Sequence, residues 1–275
     1  MSSLARKLRR EGKTVGFVPT MGALHAGHLA LVREARQMAD IVIVSIFVNP
    51  TQFNQTQDFE KYPRDLTHDA AMLADYQIDY IFAPDPEEIY PPNFATFVYV
   101  EGLTETLEGA SRPGHFRGVA TVVTILLNTI RPDFAFFGQK DAQQVSVIGR
   151  LTKDLGFDTE IVVLPTVREE SGLAMSSRNE RLSPEDLARA AVIFKGLREA
   201  KIAARKGERN AATLHEIVYR VISSEPAAEI DYIALVDNET LEPIDRISQR
   251  PVLIAVAVNI GGVRLIDNVV FDPVQ

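Results

Sequence analysis

Two histidines three positions apart, in the string Pro19, Thr20, Met21, Gly22, Ala23, Leu24, His25, Ala26, Gly27, His28, are the side chains best placed for chemistry in the first half of the chain. A second string, Ala174, Met175, Ser176, Ser177, Arg178, Asn179, adds two hydroxyls and a guanidinium, and Lys140 supplies an ammonium within Gly138, Gln139, Lys140, Asp141. This set offers hydrogen-bond donors and positive charge but no obvious carboxylate pair. It suits charge stabilisation on a nucleoside triphosphate better than hydrolysis by acid and base. A His-x-x-His pair also reads as half of a metal site, but no third ligand stands at useful spacing, the other histidines being at 68, 115 and 215.

The elements that must position these residues are legible in outline. An apolar strand at 14–18 runs into a helical pattern at 27–39 (Leu29, Leu31, Val32, Ala35), so the histidines fall where a strand hands over to a helix. Helix-opening N–H groups lack intrahelical partners and the macrodipole favours negative charge there, which makes this join an anion site. Further strands are predicted at 41–48, 79–82, 96–100, 133–137 and 159–164, with helices at 65–75, 117–130 and 140–155. That alternation predicts a mostly parallel sheet with helices on both faces. Ligands bind beyond the carboxyl ends of such strands. Three polar loops fall there: the histidine loop, Asn49-Pro50-Thr51-Gln52-Phe53, and Gly138-Gln139-Lys140-Asp141.

After a polar stretch at 168–172, Ser183, Pro184, Glu185 and Asp186 announce a long helix to about residue 205: an N-cap serine, a proline at the first helical position and early acids. A helix at 210–223 and strands at 230–236, 252–258 and 263–271 follow, an order that predicts a separate α+β unit. The fold expected is α/β: a Rossmann-like, doubly wound parallel-sheet domain over 1–173 that binds nucleotide and substrate. A smaller α+β lid over 174–275 begins with the second string, at a hinge from which it closes over a ligand.

Composition narrows the class. The chain has 275 residues, 46% hydrophobic and 24% charged, enough for one large or two modest cores. It has no cysteine, which excludes disulfides and thiolate metal sites and fits a reducing, cytoplasmic setting. A net charge of -8 argues against a nucleic-acid partner. Apolar runs such as 41–44 and 252–258 are strand-length and too short to span a bilayer. The basic start, with Arg6, Lys7, Arg9 and Arg10, has no apolar run after it and reads as a solvated helix. The absence of Gly-x-x-x-x-Gly-Lys-Ser/Thr and of a Gly-x-Gly-x-x-Gly after a strand excludes a P-loop and argues against a dinucleotide site.

The His-Ala-Gly-His string resembles the HxGH signature of the nucleotidyltransferase and class I aminoacyl-tRNA synthetase superfamily, and Met175-Ser176-Ser177-Arg178 resembles its KMSKS-type loop. The chain as a whole is similar to the pantothenate synthetase (pantoate-β-alanine ligase) family. The resemblance rests on Pro19-Thr20-Met21-Gly22, Phe47-Val48-Asn49-Pro50-Thr51-Gln52-Phe53, Tyr62-Pro63-Arg64, Arg112-Pro113-Gly114-His115-Phe116-Arg117-Gly118-Val119, Phe137-Gly138-Gln139-Lys140-Asp141, Gln143-Gln144 and the stretch 172–179. The last hundred residues match mainly in length and pattern.

That resemblance implies a ligase of pantothenate biosynthesis, on the route to coenzyme A. Pantoate and Mg-ATP give pantoyl adenylate and pyrophosphate, and β-alanine then displaces AMP. It implies ATP contacts at Met21, Gly22, Ala23, Leu24, His25, Ala26, Gly27 and His28, with His28 as proton donor. Gly138, Gln139, Lys140, Asp141, Val167, Met175, Ser176, Ser177 and Arg178 complete the nucleotide site. The catalytic set is His25, His28, Lys140, Ser176, Ser177 and Arg178, while Gln52 and Gln144 hold pantoate and Gln52 borders β-alanine. Mg²⁺ accompanies ATP with no ligand assigned, Asp69 reading as an exposed helix acid. The resemblance also suggests a cytoplasmic homodimer with no nucleic-acid or membrane partner.

Ser171, Ala142 and Ile125 depart from the family's usual aspartate, aromatic and lysine, none at a contact position. Three other readings share the histidine motif: a nucleotidyltransferase releasing pyrophosphate without AMP, an aminoacyl-tRNA synthetase, for which this acidic chain lacks a basic surface, and a nucleotide-binding regulator without turnover.

Overall fold

The structure is a computed structural model that describes residues 1–54 and 59–274. The chain divides into two compact units, Met1–Gly138 with Val147–Pro165, and Gln139–Ser146 with Thr166–Gln275.

The first unit is built on a five-stranded sheet of β1 (Val15–Thr20), β2 (Ile41–Ile46), β3 (Tyr80–Phe82), β4 (Phe134–Gly138) and β5 (Glu160–Leu164), in the order β3-β2-β1-β4-β5. All four pairings are parallel, β1 and β2 running in register from Val15 opposite Ile41 to Thr20 opposite Ile46. The central strands are apolar almost throughout because both faces are covered: Phe17, Val18, Val42, Ile43, Val44 and Phe136 are fully buried. Helix α1 (Ser2–Arg10) precedes β1, and α2 (Ala26–Met38) packs Leu31, Val32 and Ala35 on Val18, Val42, Val44 and Phe136. Helix α3 (Leu66–Leu73) adds Leu73 to that core, and α4 (His115–Ile130) leads to β4. Strand order reverses between β1 and β4, the place where parallel sheets leave a crevice beyond their carboxyl ends.

The expected solvated N-terminal helix is α1, which nevertheless buries Ala5 and Leu8. The strand expected at 96–100 does not form. Its alternation of aromatic and β-branched residues is that of an extended segment, but Val98 donates its N–H to Thr121 Oγ1 on α4 at 3.0 Å instead of to a neighbouring strand. Period alone cannot separate the two cases, because a lone extended segment and a paired strand share it.

Helix α5 (Ala142–Asp154) continues from the turn Gln139–Asp141 and spans both units. In the second unit, α6 (Pro184–Arg205) and α7 (Ala211–Ile222) precede the antiparallel sheet of β6 (Glu229–Asp237), β7 (Val252–Ile260) and β8 (Val263–Phe271). The start of α6 is as its sequence announces: Ser183 Oγ accepts from Asp186 N–H at 3.1 Å, with Pro184 at the first position. Ile193, Leu197, Leu214, Ile222, Ile254 and Val256 are among the fully buried residues of this unit's core.

Candidate active site

In the first unit the chain leaves β1 at Thr20 and enters α2 at Ala26, so the histidine loop sits on the helix N-terminus. His25 is the N-cap. Its Nδ1 accepts from Gly27 N–H at 3.1 Å, and the Nδ1 of His28, at the third helical position, accepts from His25 N–H at 3.3 Å. This is the reciprocal capping arrangement usually made by serine or threonine with glutamate or glutamine, here made by two imidazoles. A ring nitrogen that accepts from a backbone N–H carries no proton, so each histidine is the neutral tautomer with its proton on Nε2. The rings lie 4.1 Å apart between centroids. A strand-to-helix join thus places two imidazoles at a helix N-terminus, where the His25 and Gly27 N–H groups are taken up within the cap and the helix dipole favours negative charge.

The loop before the cap is held from α3. Asp69 Oδ2 accepts from Ala23 N–H at 3.1 Å and Oδ1 from Leu24 N–H at 2.9 Å. Asp69 is 2% exposed, which corrects its reading as an exposed helix acid: it is buried and committed to the loop backbone. Gly22 has φ +79°, and a Cβ there would lie 2.7 Å from Asp69 Oδ2, so both the turn and the carboxylate require glycine. A cavity of about 250 Å³ opens beside Met21 and Gly22, its walls mostly apolar.

Gln52, in the turn Pro50–Gln52 after β2, is buried and tied to the same loop: its Nε2 donates to Met21 Sδ at 2.8 Å. Its Oε1 accepts from Asn49 Nδ2 at 3.0 Å, and its backbone carbonyl from His115 Nδ1 at 2.8 Å. Asn49 is fixed in turn, donating to Gly118 O at 3.2 Å and accepting from Tyr90 Oη at 2.8 Å. Burial pushes the Tyr90 phenol above its ordinary pKa, opposed by its hydrogen bonds to Thr51 and Asn49. Gly118 allows this packing, since a Cβ there would stand 2.3 Å from Thr51 O. Asn49, His115 and Gly118 lie inside the quoted motifs, yet only the structure shows that they orient Gln52.

In the second unit, Lys140, Ser176 and Arg178 line one pocket with Asn179 and Asp267. Ser176 Oγ caps a short helical turn by accepting from Arg178 N–H at 3.2 Å. Val167 lies beside Met175, whose N–H donates to Val167 O at 3.0 Å, and Arg168 pairs with Ala174 in an antiparallel bridge. Arg168 also forms a two-pronged ion pair with Asp267 of β8 at 2.6 and 2.9 Å. Burial pushes the Asp267 carboxyl above its ordinary value, and the Arg168 guanidinium opposes this. Asn268 Nδ2 donates to Gln139 O at 3.0 Å and to Lys140 O at 2.9 Å. Asp141 is an ion-pair neighbour of Lys140 at 3.8 Å, and Gln144 is half-buried on the first turn of α5. Arg168, Asp267 and Asn268 escaped the sequence reading. The one signal for the last two is an Asp-Asn pair inside a strand that is apolar apart from Arg264, where both types are disfavoured.

The family model for pantoate-beta-alanine ligase matches residues 1–270. The chain belongs to the pantoate-beta-alanine ligase family. A pantothenate synthetase of Pelotomaculum thermopropionicum is 52% identical over 268 residues, covering 98% of this chain and 95% of that protein. Among solved structures, the pantothenate synthetase of Thermus thermophilus is 46% identical with a TM-score of 0.89, covering 96% of each chain. A pantoate-beta-alanine ligase from Francisella tularensis, solved with "Beta-gamma ATP and Beta-alanine", is 37% identical with a TM-score of 0.78, covering 99% of this chain and 96% of that one. Membership makes the chain an enzyme, a ligase of pantothenate biosynthesis with ATP as a substrate, in place of the regulator reading. The expected parallel-sheet unit and smaller α+β unit are also those of this family's structures.

Proposed function

We propose that this chain condenses pantoate with β-alanine in two steps at the expense of ATP. A pantoate carboxylate oxygen attacks the α-phosphorus and the bond to the leaving pyrophosphate breaks, giving pantoyl adenylate. The β-alanine amine then attacks the acyl carbon, the bond to the AMP oxygen breaks, and the amine proton is lost as the amide of pantothenate forms. The observation that carries this reading is the reciprocal histidine cap at the start of α2, with both imidazoles held as Nε2–H donors in a family whose substrate is ATP.

In the first step negative charge shifts onto the leaving pyrophosphate, so donors there stabilise the transition state more than the ground state. His25 and His28 take this role in the first unit, His28 as the proton donor of a hydrogen bond from Nε2–H to the phosphate oxygens; Met21, Gly22, Ala23, Leu24, Ala26, Gly27 and Gly138 line the nucleotide. Lys140, Ser176, Ser177 and Arg178 take it in the second unit, with Gln139, Asp141, Val167 and Met175 around the nucleotide. Gln52 and Gln144 hold pantoate, and Gln52 borders β-alanine. The second step needs proximity more than acid–base groups, because an acyl adenylate is already activated; an amine fixed beside it reaches an effective molarity on the order of 10⁵ M or more. Exclusion of water protects the adenylate, and a lid over 174–275 serves that purpose.

Among the described residues no group of three or more histidine or acidic side chains is placed to hold a metal. The residues therefore do not fit a protein-caged ion, and Mg²⁺ is proposed to come on the triphosphate, whose oxygens and waters are its usual ligands. The enzyme is further proposed to be a cytoplasmic homodimer, which light scattering on the eluting protein tests. Among the described residues no helix is long and apolar enough to cross a membrane.

The reading is tested by incubating the protein with Mg-ATP and pantoate, with and without β-alanine, and following products by mass spectrometry. AMP and pantothenate released together only with β-alanine is the expected result. Pyrophosphate without amide points to a nucleotidyltransferase, and ATP binding without turnover to a regulator; either outcome overturns the proposal.

A further inference from the structure

Two consecutive residues of β8, Asp267 and Asn268, are 3% and 4% exposed inside a strand that is otherwise apolar or amphipathic. Consecutive strand residues point to opposite faces, so the pair reaches two different segments. Asn268 faces the turn Gln139–Asp141, and its amide is fully engaged there: both Nδ2 protons are donated, to Gln139 O and Lys140 O, while Oδ1 accepts from Gln139 Nε2 at 3.2 Å. Asp267 faces the hairpin that carries Ser176. It takes both prongs of Arg168, whose Nη1 also donates to Gly172 O at 3.0 Å and whose guanidinium lies 3.7 Å from the Phe194 ring centre. Asn268 N–H donates to Asp267 Oδ1 at 2.7 Å, which joins the two arms.

We propose that Asn268 is a positioning residue for Lys140, setting the backbone from which the ammonium extends, and that Asp267 with Arg168 registers the Ser176 hairpin against the same strand. This inference rests on the proposed role of Lys140. Two carbonyls gripped by one buried amide fix the peptide planes on either side of Lys140 Cα, and hence the direction of a long side chain otherwise free to sample many rotamers. Any buried asparagine satisfies backbone groups; what distinguishes a positioning role is that its loss acts on the rate through Lys140.

The test is a double-mutant cycle on the full-length protein, with Asn268→Asp, Lys140→Ala and the double variant assayed for pantoate-dependent adenylate formation. Asn268→Asp is nearly isosteric but presents acceptors to the two carbonyls. Its kcat is expected to fall roughly 10- to 100-fold, with kcat/KM falling equally, the mark of a contact made only in the transition state. In the Lys140→Ala background the same change is expected to alter kcat less than about twofold, because the backbone carbonyls it grips remain but the ammonium they aim is already gone. If Lys140→Ala lowers the rate and Asn268→Asp lowers it by its full factor again, the positioning role is overturned while the role of Lys140 stands. If Lys140→Ala alone leaves the rate intact, the role of Lys140 fails and the proposal with it. Asn268→Ser, which keeps one donor at smaller volume, carries the cycle if Asn268→Asp does not fold.

Discussion

The bond that fixes His28 on α2 spans three residues, His25 N–H to His28 Nδ1, whereas the bond that fixes the Lys140 turn spans 128, Asn268 Nδ2 to Lys140 O. The first unit builds its donors from a helix terminus, where orphan N–H groups and two suitably spaced side chains suffice. The second has one short local cap, at Ser176, but sets the Lys140 turn and the segment leading to Ser176 from β8, through Asn268, Asp267 and Arg168. The difference is one of reach. A site on a helix terminus is set once the helix forms, whereas a site on turns holds its shape only while its distant partners stay buried and paired.

The largest effect is expected at Arg168. Removing the guanidinium by Arg168→Ala leaves Asp267 buried without its counter-charge, a situation that costs about 3–5 kcal/mol and is read by urea unfolding. The pH dependence has a definite sign. With Arg168 gone, burial raises the Asp267 carboxyl further above its unfolded value, so the native state takes up a proton more readily than the unfolded chain. The variant is then most stable relative to wild type below the ordinary carboxylate value, and loses that advantage as pH rises through the folded value. A variant no less stable than wild type at pH 7 removes the contrast between the units.

Next in size is the effect at His28. His28→Ala is expected to lower kcat by about 10²–10³, the effect of one well-placed donor, while costing only about 1 kcal/mol of stability as a lost cap. A stability loss as large as that of Arg168→Ala contradicts the local construction of the histidine loop. Asp69 sharpens the comparison, since it is the long-range element of that loop. Asp69→Ala leaves the Ala23 and Leu24 N–H groups without their acceptor, at roughly 1–3 kcal/mol for each one that stays buried, and is expected to raise KM for ATP in steady-state assays. An unchanged KM means that the cap alone holds the loop.

The smallest effect belongs to Asp40, an exposed acid at the N-terminal edge of the sheet, lowered in pKa chiefly by the Thr14 N–H at 3.0 Å. Its contribution is present above the ordinary carboxylate value and is lost as pH falls through the lowered folded value. Asp40→Asn should flatten the acid limb of the stability profile, measured as melting temperature against pH, without changing activity. Unaltered acid sensitivity counts against that assignment.

What was legible in the sequence follows the same division. The strands leading to His25, Gln52 and Gly138 could be read because runs such as 41–46 are buried on both faces, and the start of α6 because Ser183-Pro184 is a local signal. The placement of His25 and His28 at the start of α2 was legible for the same reason. The segment at 96–100 misled because an extended run with the right period does not say whether a strand lies beside it; Val98 is satisfied by Thr121 instead. Asp69 misled because a polar residue near a helix start is usually solvated, and nothing local reveals that the loop after β1 lies over it. Asn268 and Asp267 could not be assigned because their meaning depends on residues about a hundred positions away.

The most direct test of the central claim is the exchange of labelled pyrophosphate into ATP, measured with pantoate present and β-alanine absent. The two-step account predicts pantoate-dependent exchange that Lys140→Ala and His28→Ala both suppress. Exchange that appears only when β-alanine is added, in an enzyme that still makes pantothenate, contradicts a free-standing adenylate step.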